Sequence, residues 1–156
     1  MQASKGANAL EAKVRYNSYD AYGHPLEVQQ ENGMKVSYVW GYNRTQPVAR
    51  IDNMAYASLP AGLVAAVENA SDAVPFNAAA EASLLSALES LRASVAASGG
   101  QMTGYAYRPL VGVSAVIDPK GDRTYYDYNG FGRLKAAYDR NGKLLSENEY
   151  HYRTQN

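Results

Sequence analysis

Several residue types and patterns are scarce in this chain of 156 residues, and each absence excludes a class of protein. There is no cysteine, which excludes disulfide frameworks, thiol nucleophiles and cysteine-ligated metal sites. The 15 basic and 15 acidic residues cancel, so no excess positive charge favours nucleic acid or an anionic membrane surface. No apolar run approaches the roughly 18 residues that a transmembrane helix needs. We therefore expect neither a nucleic-acid partner nor a membrane span.

Apolar aromatic residues are also scarce, with 2 Phe and 1 Trp, whereas Tyr occurs 14 times. Tyrosine suits a sheet with one wet face, because its ring packs while its hydroxyl reaches water or a partner. Most of the tyrosines are therefore expected to build a sheet, and the rest leave room for a binding surface. Hydrophobic residues make up 46% of the chain, which is enough for a core, and the length predicts one domain over 1–156.

Turn signals recur about every ten residues, near the N-terminus and again in 116–152. Most are an Asp or Asn followed three residues later by Gly, which is typical of a type I turn that ends at positive φ. The flanking residues are rich in Tyr, Thr, Val and Leu, which favour strands. The pattern predicts a meander of antiparallel hairpins. The turn residues are Asp20, Gly23, Gly33, Asp118, Gly121, Asn129, Gly132, Asp139 and Gly142.

The composition changes to Ala, Leu, Ser and Glu in the middle of the chain. A short helix is predicted over 61–69, and Asn77 is a good N-cap for a long helix over 78–97. A lone Ala-rich helix of this length is marginal in water, so its apolar stripe must pack on the sheet. The stripe consists of Leu84, Leu88, Leu91 and Val95.

These patterns predict a mainly β chain of the α+β class, in which an antiparallel hairpin meander carries an inserted two-helix segment packed on the sheet. The domain then divides into four parts. They are a flexible arm (1–11), a first β block (12–53), a helical insert (54–100) and a second β block (101–156).

Tyr-Asp or Tyr-Asn pairs precede several of the turns and define a repeat, Tyr-Asp-x-x-Gly-(x)-x-Leu. The clearest copy runs from Tyr126 to Leu134, and another runs from Tyr19 to Gly23. With these repeats the chain resembles the YD-repeat family, also called the Rhs family, over about 13–152.

The blocks 38–53 and 105–113 are similar to the subtype of this family found in Bacteroidetes, where a helical segment also separates two blocks. The resemblance implies a β-rich scaffold of secreted or cell-surface proteins. This chain would be a short member or a C-terminal fragment of a larger precursor, since its first residues lack the apolar segment of a signal peptide. It has too few repeats to form the toxin-enclosing shell of long members and lacks their aspartate-rich self-cleavage motif.

No residue pattern predicts catalysis, a metal site or a cofactor. His24 and His151 have no metal-ligand spacing and are expected to be structural or surface residues. Asp118, Asp122 and Asp127 lie in one hairpin, where two carboxyls could serve glycoside hydrolysis. However, Asp118 opens a turn and Asp127 belongs to the repeat, so we expect a protein that is not an enzyme.

The candidate binding residues are Tyr38, Trp40 and Tyr42, which alternation along a strand places on one face. If exposed, this aromatic row could stack on sugar rings or contact another surface protein. The favoured interpretation is that it forms the core beneath the long helix, because the leucine stripe needs a partner. Two functions remain: a structural or interaction module of a secreted or surface protein and, as the alternative, a carbohydrate-binding module.

The ends of the meander bear on self-association. A short run of hairpins does not close on itself, so its outer strands offer unpaired backbone groups to another chain. The last strand is predicted over 147–152. We therefore expect a homo-oligomer that forms through an open strand edge.

Overall fold

The computed structural model describes residues 14–73 and 77–147. The arm predicted over 1–11 and all but the first residue of the strand predicted over 147–152 lie outside these ranges. The described strands are β1 (Val14–Tyr19), β2 (Pro25–Gln30), β3 (Lys35–Gly41), β4 (Gln46–Asp52), β5 (Gln101–Arg108), β6 (Gly112–Ile117), β7 (Arg123–Tyr128), β8 (Leu134–Asp139) and β9 (Leu144–Glu147). Between β4 and β5 lie a single 3₁₀ turn (Tyr56–Ser58) and the helices α1 (Ala61–Ser71) and α2 (Ala78–Ala97).

All nine described strands form one sheet in chain order, and every neighbouring pair is antiparallel. The helical insert does not interrupt this order, because β4 and β5 pair directly. The prediction of a mainly β chain with an antiparallel sheet and two helices is therefore confirmed. Neither of the described helices combines the length and apolarity that crossing a membrane requires.

Five of the seven hairpin turns in the described sheet share one local geometry. In each of the five, a Gly N–H donates to the carbonyl of the residue three positions earlier, over 2.9–3.2 Å. The φ values of these glycines, from 76° to 96°, lie in the region that favours glycine. Four of the turns open with Asp20, Asp118, Asn129 or Asp139, whose Oδ1 accepts the N–H groups two and four residues on. The turn at Gly33 begins at Gln30 instead, and Asn32 Oδ1 accepts the N–H of Met34.

The two helices cover one face of the sheet. The stripe of α2 is buried to 1% exposure or less at Leu84, Leu88, Leu91 and Val95, and it shares one core with Val64 and Val67 of α1. The predicted packing of the long helix on the sheet is confirmed. The sheet residues of this core are Val39, Val48, Ala49, Ile51, Met102, Ala106, Ala115 and Ile117.

Small residues in the central strands let α2 approach the sheet closely. Ala49, Ala106 and Ala115 are fully buried beneath the helices. A Cβ added at Gly104 would lie 3.4 Å from both terminal methyls of Leu88, so the helix rests almost on the backbone of β5. The N-terminus of α2 is capped by Asn77, whose Oδ1 accepts the N–H of Ala80 at 2.9 Å.

Candidate binding groove

The face of the sheet opposite the helices carries a groove over β1–β4. Its volume is about 420 Å³, which falls within the range typical of small-ligand sites. Three aromatic side chains, two prolines and three valines dominate its walls and floor. The lining residues are Val14, Tyr16, Pro25, Val28, Gln30, Val36, Tyr38, Trp40, Pro47 and Arg50.

Strand register explains why these side chains meet. Directly opposed residues of an antiparallel pair point to the same face. Tyr16 is opposite Val28, Val28 is opposite Val36, and Tyr38 is opposite Arg50. Val28 and Val36 form the floor, with 8% and 1% exposure, while Tyr16 at the edge of the sheet is 55% exposed.

Trp40 is held in one orientation by two contacts. Its indole Nε1–H donates to the carbonyl of Pro25 over 2.9 Å. Its ring also stacks on the imidazole of His24, with centroids 4.5 Å apart and planes 28° apart. A ligand would therefore meet an aromatic ring whose conformational freedom is already lost.

The imidazole beneath Trp40 is fixed in turn by the β1–β2 hairpin. Asp20 Oδ1 accepts the backbone N–H groups of Tyr22 and His24, and Oδ2 lies 3.0 Å from His24 Nδ1. Arg44 donates to the same carboxylate at 3.4 Å, and its guanidinium lies 5.2 Å from the ring centre of Tyr22. Desolvation works to raise the pKa of Asp20, but the hydrogen bonds from His24 and Tyr22 prevail and lower it from 3.8 to about 2.

This Asp–His pair was not expected from the sequence, which indicated only a structural or surface role for His24. The signal available was the spacing, since an Asp that opens such a turn also faces the residue four positions on. In the structure the pair fixes the imidazole on which the Trp40 ring stacks.

Arg50 supplies the only charged side chain in the groove lining. Its Nε donates to Asp52 Oδ1 at 3.0 Å, and its side chain remains 44% exposed. The hydrogen bond to Asp52 raises the pKa of Arg50 against a smaller desolvation effect, and the nearby hydroxyls of Tyr38 and Tyr105 add to the rise.

Tyr42 does not lie in the groove, so the expectation that it shares a face with Tyr38 and Trp40 is wrong. Its ring meets Tyr107 edge-on at 5.5 Å and packs against the helix-covered core. The Tyr42 hydroxyl accepts the N–H of Tyr107 at 2.8 Å and lies 3.3 Å from the carbonyl of the same residue. Burial raises the pKa of both tyrosines to about 12. Alternation fails because β3 ends at Gly41, and Tyr42, the next residue, has a left-handed backbone with a φ of 53°.

The loop that displaces Tyr42 is left-handed over three consecutive residues. Tyr42, Asn43 and Arg44 all have positive φ, between 53° and 64°, which costs residues with a Cβ about 1–2 kcal/mol each. The end of α1 stabilises this left-handed turn. Ser71 Oγ accepts the N–H of Tyr42 at 3.0 Å, and Asp72 Oδ1 accepts that of Asn43 at 2.6 Å.

The favoured interpretation that the aromatic row lies beneath the long helix is also wrong for Tyr38 and Trp40. The helices cover the face that carries Val39 and Ile51, and the groove lies on the opposite face. Bulky aromatic side chains would hold α2 away from the sheet, whereas the alanines and Gly104 let it approach.

Two of the carboxylates considered for glycoside hydrolysis accept backbone hydrogen bonds. Asp118 accepts two backbone N–H groups of its own turn, and Asp127 accepts the N–H of Tyr128. Within 14–73 and 77–147 no group of three His, Asp or Glu side chains is placed to hold a metal ion.

No family model and no curated protein matches the chain.

Proposed function

We propose that this chain is a non-enzymatic structural and interaction module of a secreted or cell-surface protein of the YD-repeat type. The observation that carries the proposal is the difference between the two sheet faces. On one face, α1 and α2 cover the central strands. The other face presents a groove in which Trp40 is held in one orientation. Such a groove, mostly apolar with a few polar groups, is the usual form of a binding site.

The repeated hairpins support the YD-repeat part of the proposal. Tyr19 and Asp20, Tyr128 and Asn129, and Tyr138 and Asp139 each stand where a strand passes into a turn. In each case the Asp or Asn side chain closes the turn in the same way. The pair therefore has a physical role, which is to end one strand and set the register of the next.

A carbohydrate-binding module is the second candidate, and the aromatic lining of the groove favours it. The flat rings of Trp40, Tyr38 and Tyr16 line one continuous groove, where the C–H face of a sugar ring can stack. Gln30 and Arg50 supply hydrogen-bond donors in the same groove.

A glycan array combined with fluorescence titration tests this function. Trp40 is the only tryptophan, so its emission reports on the groove alone. We expect at least one glycan class to bind and to change the emission. Tyr38→Ala should weaken binding at least about tenfold, whereas Tyr126→Ala on β7, outside the groove, should not. Binding that is unchanged in Tyr38→Ala would contradict the groove as the site.

Self-association through an outer strand is part of the same proposal. β1 and β9 lie at the two edges of the described sheet and carry exposed apolar residues, including Val14, Tyr16 and Leu145. Neighbouring strands alternate in direction, so β1 and β9 run the same way, and only like edges can pair antiparallel about a two-fold axis. Light scattering over a concentration series should detect a dimer, and a monomer mass throughout would refute this part of the proposal.

A further inference from the structure

The guanidinium of Arg50 is oriented by Asp52, but only one of its nitrogens donates a hydrogen bond within the described residues. Asp52 receives a hydrogen bond from Nε alone. In the described residues, the two terminal nitrogens of Arg50 have no hydrogen-bond partner. A guanidinium held by its Nε side keeps its end-on edge free, and that edge matches the two oxygens of a carboxylate.

The charge of the groove lining also favours a ligand with a carboxylate. Arg50 is the one charged residue in its lining, while Asp52 lies beside it and not in the lining. Asp52 balances the charge of Arg50 overall, so long-range attraction of an anion is weak. The selectivity must therefore come from short-range hydrogen bonds at the free edge of the guanidinium.

We propose that the groove binds an acidic saccharide, with a uronate ring against the aromatic wall and its carboxylate on the terminal nitrogens of Arg50. This inference rests on the second candidate function above, carbohydrate binding. Tyr38, directly opposite Arg50 in the register, places an aromatic ring beside the guanidinium. Trp40, whose ring is already fixed, continues the same wall. An aromatic wall next to one oriented arginine suits a flat ring that bears one carboxylate.

The test uses the full chain and two probes that differ only at the carboxylate: a short oligogalacturonate and its methyl ester. Affinities are measured by calorimetry and by Trp40 emission at physiological salt. We expect the free acid to bind about tenfold tighter than the ester, as loss of a charge-assisted hydrogen-bond pair implies. The same measurements are made with Arg50→Gln and Arg50→Lys. The first variant loses the charge. The second keeps the charge but loses the pair of terminal nitrogens that can donate two parallel hydrogen bonds.

Both Arg50 variants should lose most of the preference for the acid while still binding the ester as well as the original chain does. Arg140→Gln is the matched control, since Arg140 is exposed in the turn between β8 and β9 and its loss changes the net charge equally. The control should keep the tenfold preference. Circular dichroism on each variant establishes that it is folded, as expected for a side chain that is 44% exposed.

The contradicting outcomes separate this inference from the proposed function. If acid and ester bind equally, the acidic ligand is refuted while carbohydrate binding stands. If neither saccharide binds and an acidic peptide does so through Arg50, both the saccharide inference and the carbohydrate function fail, and the interaction module remains. If Arg140→Gln abolishes the preference for the acid as fully as Arg50→Gln, the preference arises from net charge and the proposed contact with Arg50 is refuted.

Discussion

The two faces of the central strands differ in the side chains they present. Toward the helices, β4 to β6 combine larger apolar residues such as Ile51 and Met102 with alanines and Gly104, which leave room for the leucines of α2. Away from the helices, β3 presents Tyr38 and Trp40, and β4 presents Arg50. The difference shows that a helix packs where the sheet leaves space for its leucines, whereas the bulkier residues shape a surface that a separate molecule can fill.

The largest loss of stability is expected from Leu88→Ala, on the side of the sheet that the helices cover (the covered face, as opposed to the open face that carries the groove). Leu88 is fully buried against Gly104, so its loss should leave a cavity and lower the free energy of unfolding by about 2–5 kcal/mol. Chemical denaturation measures this. Val116→Ala, a half-buried position on the open face opposite Tyr105, is the control and should cost about 1 kcal/mol or less. Equal losses at the two positions would contradict the difference between the faces.

Gly41→Ala tests how tightly the covered face is closed at the end of β3. A Cβ there would lie 2.3 Å from Ser71 Oγ and 2.8 Å from a methyl of Val48, so α1 or β4 must move. We expect a loss of about 1–3 kcal/mol in the free energy of unfolding. Gly130→Ala is the control, because an added Cβ there meets nothing within 4 Å, and its melting temperature should stay close to that of the original chain.

Tyr42→Phe tests the position of Tyr42, which strand alternation predicts on the groove face and which packs against the helix-covered core. The change removes the hydroxyl that bonds to the backbone of Tyr107 and should cost about 1 kcal/mol. Ultraviolet titration gives a second measurement, because the phenols of Tyr42 and Tyr107 should ionise only near pH 12. Loss of one late-titrating phenol in the variant supports the assignment, whereas loss of a phenol that ionises near the ordinary value of 10.0 would show that Tyr42 lies elsewhere.

The smallest effect concerns Asp20, which supports the open face through His24 and Trp40. Its pKa is lowered to about 2, so its stabilising contribution is present above the ordinary value of 3.8 and is lost as the pH falls through 2. The stability difference between the original chain and Asp20→Asn should therefore shrink between about pH 4 and pH 2. Denaturation across this range measures it, and a constant difference would mean that the carboxylate gains nothing from its hydrogen bonds.

Local signals in the sequence predicted much of the fold. Each Asp or Asn with a Gly three residues later acts within its own turn, as Asp118 and Asp139 do, and needs no distant partner. The stripe of α2 was equally clear, since Leu84 and Leu88 recur at the spacing of one helix face.

The details of the groove depended on contacts that are distant in the sequence. Tyr42 leaves the face of Tyr38 because β3 ends at Gly41 and because Asp72, 29 residues after Asn43, holds the loop in a left-handed turn. Strand periodicity contains neither signal. It also could not show which face α2 covers, since the more apolar set in β3, Val36, Tyr38 and Trp40, lies away from the helices.

The most direct test of the open-face groove is an NMR titration of the full chain with the short oligogalacturonate. The backbone and indole N–H signals report on every part of the sheet at once. We expect shifts concentrated at Tyr16, Tyr38, Trp40 and Arg50, with little change at Leu88 and its neighbours on α2. Shifts concentrated on α2 or on β5–β9 would contradict the groove as the binding surface, and no shifts at all would refute the acidic saccharide as its ligand.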